Sequence, residues 1–106
     1  IADDEDNNLH IGQADDLAQY IDTTYKKFNV DKIYFDSYNQ LSTPGGQRYP
    51  DVREAINKRV SRGSLIICYT GHGGEIGWAH ERVLEISDIN KWDNYCNMPL
   101  FFTATC

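Results

Sequence analysis

Residues 65–72, Leu-Ile-Ile-Cys-Tyr-Thr-Gly-His, constrain this chain more than any other stretch. A short unbroken apolar run reads as a strand buried on both faces, and the glycines around His72 (Gly71, Gly73, Gly74) end it abruptly. In an open α/β sheet the carboxyl ends of the strands collect ligands and catalytic groups, because the loops there converge without disturbing the core. A second run, Pro99 to Thr103, is followed by Ala104, Thr105 and Cys106. His72 and Cys106 are therefore expected at the ends of two successive parallel strands.

The remaining segments alternate in the same sense. Ile1-Ala2 reads as the tail of a first strand, and the run from Asp3 to Asn8 as a turn too charged to be buried. Apolar residues at Leu17, Tyr20, Ile21, Tyr25 and Phe28 predict a helix over 15–28, with Asp15 and Asp16 at the positive end of its dipole. Ile33-Tyr34-Phe35 predicts a short strand, and Asn39 to Tyr49, with Pro44-Gly45-Gly46, a loop at the active end of the sheet. Pro50 suits a first helical position, and Val52, Ala55, Ile56 and Val60 form a stripe that stops at Gly63. Ile76 to Leu84 reads as a loop or hairpin, and Ser87 as the N-cap of a third helix with Ile89 and Trp92 facing inward. Strands alternating with helices predict βαβ units and a mainly parallel sheet covered on both faces.

The formal charge of −6 excludes a general nucleic-acid binder that works by neutralising phosphates. It is unevenly spread, with acids dominating up to Asp31 and five basic residues between Arg48 and Arg62. Three cysteines, odd in number and far apart, make neither a disulfide framework nor a CxxC zinc pattern. No stretch is long and apolar enough to span a membrane. A chain that opens in what looks like a strand and stops on a cysteine just after another reads as a fragment.

A cysteine attacks only as its thiolate, and an imidazole beside it both favours that form and carries the proton on to a leaving amine. The 34 residues from His72 to Cys106 match one strand, loop, helix and strand, and adjacent strands lie about 4.8 Å apart, close enough for their end loops to meet. Gly73 leaves its N–H unobstructed, and with the N–H of Cys106 it could hold the oxyanion of a tetrahedral intermediate.

The stretch Tyr69-Thr70-Gly71-His72-Gly73-Gly74-Glu75-Ile76-Gly77-Trp78, with the later Ala104-Thr105-Cys106, resembles the gingipain-type cysteine peptidases of the caspase-like clan. Gly77 to Leu84, Gly-Trp-Ala-His-Glu-Arg-Val-Leu, is most similar to the sortase branch that serves bacterial type IX secretion. The resemblance covers nearly the whole chain. It implies a caspase-like three-layer α/β fold, of which residues 1–106 are the N-terminal part, truncated after the nucleophile and inactive alone. It also implies His72 as general base, Cys106 as nucleophile, and Gly73 with Cys106 as oxyanion donors. An acid that orients the histidine follows the first strand in this family; Asp3 and Asp4 are available, and Asp4 is slightly favoured. Asp15 or Asp16 could be the acid of a specificity pocket for basic substrates, a preference that a sortase-like member need not share. Thr105 departs from the alanine that many clan members have before the cysteine. The resemblance further implies a protein or peptide substrate, contacts with secretion-system proteins, a position at the bacterial cell surface, and no required cofactor.

Other readings carry less. A non-catalytic assembly module has no physical need for both His72 and Cys106, and a cytosolic caspase-like protease is separated by the absence of an upstream export signal in its gene. Cys68 and Cys96 read as inert core or subsurface thiols, and His10 and His80 as exposed loop histidines. The Asp3 to Asn8 run could hold a structural Ca²⁺ through hard oxygens, though it lacks the EF-hand pattern and a solvated turn is the simpler reading. The glycines of 71–77 lack the Lys-Ser or Lys-Thr of a phosphate loop, and a zinc hydrolase built on His72, His80 and Cys106 has no ligand spacing behind it.

Overall fold

Four extended segments run parallel and side by side, and that arrangement fixes where the chemistry-bearing residues end up. The structure is a computed structural model and describes residues 1–105. Strand β3 (Ile66–Thr70) and strand β6 (Leu100–Ala104) pair in parallel, in register from Ile66 opposite Leu100 to Thr70 opposite Ala104. On the other side of β3, Ala2 bridges in parallel to Thr70 and also to Tyr34. The expected first two strands are thus present as single bridges, held by Ala2 N–H to the Ile33 carbonyl and Phe35 N–H to the Ala2 carbonyl, 3.1 Å each. They stop there because acidic Asp4 follows one and a 3₁₀ turn, Phe35–Ser37, the other.

Helix α2 (Pro50–Arg62) matches its predicted bounds, with proline at its start and Gly63 at its end. Its stripe Val52, Ile56 and Val60 is fully buried, and each such side chain contributes about 1.5–3 kcal/mol. Val52 and Ile56 meet Ile33, Phe35, Tyr49 and Tyr69 in the main core. Arg53 ties this helix to a short helix α3 (Ile86–Ile89), its guanidinium 3.0 Å from Asp88 and 2.9 Å from Glu85. Glu85, not Ser87, caps α3, in a reciprocal capping box with Asp88. Ile89 is half exposed, while Trp92, just beyond, packs inward and donates to Asn57 Oδ1 at 2.7 Å.

Helix α1 spans Glu5–Thr24, but Asp6, Asn7 and Asn8 have φ of 52°, 56° and 61°, so regular right-handed helix begins after them. Asparagine and aspartate tolerate this left-handed region best, because their short polar side chains can bond to the local backbone. The helix therefore starts before Asp15, and it ends at Thr24 where Tyr25 leaves helical backbone with φ −120° and ψ 70°. Only Ala18 on it is buried. Leu17, Tyr25 and Phe28 border an apolar groove of about 660 Å³ between α1 and β3. Strand β3 is accordingly buried on the Ile67 and Tyr69 face and half open on the Ile66 and Cys68 face, rather than covered on both.

Two hairpins complete the fold. Strands β1 (Leu41–Thr43) and β2 (Gly46–Arg48) pair antiparallel inside the expected loop. Strands β4 (Gly77–Trp78) and β5 (Leu84–Glu85) settle the loop-or-hairpin alternative as a hairpin. Among the described residues, no helix is long and apolar enough to cross a membrane.

Candidate active site

Thr70 ends β3, Gly71 turns, and His72 follows with its side chain 26% exposed, accessible yet backed by protein. Gly71 is required by close approach: a Cβ there would lie 2.5 Å from Asp3 Oδ2 and 2.6 Å from the Tyr69 hydroxyl. That space is filled by a carboxylate gripping the histidine twice. Asp3 Oδ2 accepts the His72 backbone N–H at 2.5 Å and lies 3.2 Å from its ring Nδ1. The Tyr69 hydroxyl donates to the His72 carbonyl at 2.7 Å. Next to the Asp3 charge and buried, its phenol is pushed well above the ordinary tyrosine range, chiefly by desolvation, and remains a donor.

The carboxylate on His72 is thus Asp3's and not that of Asp4, the residue slightly favoured from the sequence. Ala2 sits between Tyr34 and Thr70 in extended backbone, so successive side chains point to opposite sides. Asp3 turns to the end of β3, and Asp4 turns away to accept a hydrogen bond from Tyr49 at 2.5 Å. The acidic run is also not wholly solvated, since Asp3 is fully buried. Its charge is tolerated because the His72 N–H and ring nitrogen face it.

A carboxylate at Nδ1 selects the tautomer with the proton on that nitrogen and leaves Nε2 as a lone-pair base. Around the ring stand groups that sequence reasoning missed. His10 meets it edge-on, with centroids 5.1 Å apart, and His80 stacks against it at 5.6 Å. Glu5 Oε2 is 3.3 Å from His72 Nδ1, and its other oxygen lies 3.1 Å from His80 Nδ1. That contact raises the His80 pKa above its ordinary value. His10 is not an exposed loop residue: it lies on α1 with a side chain 16% exposed. The one local signal was its four-residue spacing from Asp6, whose Oδ2 is 3.7 Å from His10 Nε2.

The Gly73 N–H enters no hydrogen bond among the described residues, while the neighbouring Gly74 N–H and His72 carbonyl bond into the β4–β5 hairpin. The side chain of Thr105 lies against Gly73, 3.0 Å from where a Cβ would be. These two line a cleft of about 290 Å³ with Ile76, Trp78, Ile86 and Ile89. Cys106 lies outside the described residues. Cys68 and Cys96 are free; Cys96 is exposed, rather than subsurface, in the turn region after α3. Asp15 is engaged by Lys32, Gln19 and Tyr34, which hold its carboxyl below the usual range.

The carboxylate-held histidine thus stands at the end of β3, and the neighbouring parallel strand β6 is followed in the sequence by Thr105 and Cys106. The chain belongs to peptidase family C25, the gingipain family of cysteine peptidases, whose family model matches residues 1–106. No curated protein and no solved structure matched it. Family membership carries with it a protein or peptide substrate.

Proposed function

We propose that the chain carries the acyl-transfer machinery of a C25 cysteine endopeptidase, with His72 as general base, Asp3 as the acid that orients it, and Cys106 as nucleophile. The observation that carries this reading is the double grip of Asp3 on His72, which leaves Nε2 as the ring's lone-pair nitrogen. The register supports the partner: His72 follows Thr70 by two residues as Cys106 follows Ala104, and Thr70 and Ala104 are paired.

In the reaction His72 Nε2 takes the thiol proton, and the thiolate attacks the scissile carbonyl carbon. The oxyanion is met by the Gly73 N–H and the Cys106 N–H, each donor worth about 3–4 kcal/mol in comparable sites. The C–N bond breaks as His72 returns the proton to the leaving amine, and the thioester is then opened by water or by an amine. Amine capture would make the protein a PorU-like sortase acting on C-terminal signals of type IX secretion cargo at the bacterial surface. The wording of Gly77 to Leu84 favours this branch.

A peptidyl acyloxymethyl ketone, which alkylates only an activated active-site thiol, tests the reading. Labelling of Cys106 that disappears in His72→Ala is expected; labelling of Cys68 or Cys96 instead overturns it. An added amine nucleophile distinguishes the sortase branch, since a transpeptidase yields the amide adduct and a hydrolase only the acid.

A further inference from the structure

We propose that Asp3, His10 and His72 form a binding site for a divalent transition ion of the zinc type, with Asp6 as a fourth ligand. Asp3, His10 and His72 each offer a ligand atom, and these atoms lie within 4.8 Å of one another. Asp3 is fully buried, and its Oδ1, the oxygen not used on His72, has no hydrogen-bond partner among the described residues. His10 Nε2 faces it at 3.9 Å, beyond hydrogen-bonding range. A buried carboxylate oxygen left unpaired is costly, and an ion between the two atoms would satisfy both. Bonds of about 2.0–2.2 Å at a tetrahedral centre place neighbouring ligand atoms about 3.3–3.6 Å apart, so small side-chain rotations close the gap.

Asp6 Oδ2 extends the set, 3.7 Å from His10 Nε2 and 3.5 Å from His72 Nε2. The left-handed turn at Asp6 to Asn8 is what folds it back over the ring. Two imidazoles with two carboxylates suit Zn²⁺, whereas Ca²⁺ and Mg²⁺ require more oxygens than this set offers. An ion held on His72 removes its lone pair, so binding would silence the peptidase. That consequence rests on the function proposed above; the binding itself does not.

The test reads binding and not turnover, so an inactive peptidase does not affect it. All thiols are alkylated first, which removes sulfur as a ligand, and Zn²⁺ is titrated calorimetrically, with Co²⁺ absorption reporting the geometry. One ion per chain is expected, with a tetrahedral Co²⁺ spectrum, at least tenfold weaker in His10→Gln. Asp6→Asn, an exposed position, serves as the second variant should His10→Gln unfold, and is expected to weaken binding severalfold. His80→Gln should leave the affinity unchanged. Absence of binding at millimolar ion, wild-type affinity in both His10→Gln and Asp6→Asn, or a loss confined to His80→Gln overturns the site.

Discussion

At the scale of single residues the decisive contact is between Asp3 and His72. Because Asp3 accepts from both the backbone N–H and the ring, it fixes the ring's orientation as well as its tautomer. On the proposed reading, Asp3→Asn lowers kcat by about 10²-fold or more while leaving KM nearly unchanged. Asp4→Asn, which only disturbs the Tyr49 contact, should cost less than tenfold; steady-state kinetics of the two variants separates them. The sequence identified His72 because a short unbroken apolar run stops just before it, and it narrowed the acid to two neighbours. Choosing between them required the bridge at Ala2, since strand periodicity assigns sides only once the pairing partner is known. His80 and Glu5 are 75 residues apart and meet only through the tertiary fold, so no local pattern could have joined them.

Among the elements, β3 and its glycine turn hold the site in place. Gly71→Ala would drive a methyl group into Asp3 and Tyr69, both fully buried and without room to retreat. A loss of about 1–3 kcal/mol in denaturant unfolding is expected, together with loss of activity. Gly74→Ala meets no atom of the described residues within 4 Å and serves as the control. Elements with a one-sided apolar pattern or a continuous apolar run, α2, β3 and β6, were legible from the sequence. The β1–β2 hairpin was not, because its residues are nearly all exposed on both sides and alternation leaves no hydropathic trace. The start of α1 was hidden for a different reason: Asp6 to Asn8 look like a solvated turn, and they are a turn, but one that carries Asp6 and His10 back over His72.

The whole molecule is acidic, and two groups bias its stability towards lower pH. His80 has its pKa raised above 6.5 by the Glu5 hydrogen bond and charge, so its contribution is complete below 6.5 and is lost as pH rises through the higher folded value. Glu81, 3% exposed with Oε2 unpaired among the described residues, is raised above 4.5 by burial, and its contribution disappears in the same direction, starting from 4.5. Asp15 works oppositely but only as pH falls below 3.8. The melting temperature is therefore expected to rise on acidification from about pH 8 to about pH 5. The slope should shrink in Glu5→Gln and in Glu81→Gln; an unchanged slope in both would assign the effect to general charge repulsion. At this scale the α/β class was legible from the alternation of segments, while the open groove between α1 and β3 was not, because apolar residues on a helix do not reveal whether anything covers them. The central claim, a working pair of His72 and Cys106, is tested most directly by site-resolved alkylation of the three cysteines against pH, with and without His72→Ala. The pair predicts that Cys106 reacts well below the ordinary thiol pKa of about 8.5 and loses that advantage without His72. A Cys106 that titrates as an ordinary thiol and ignores His72 would contradict it.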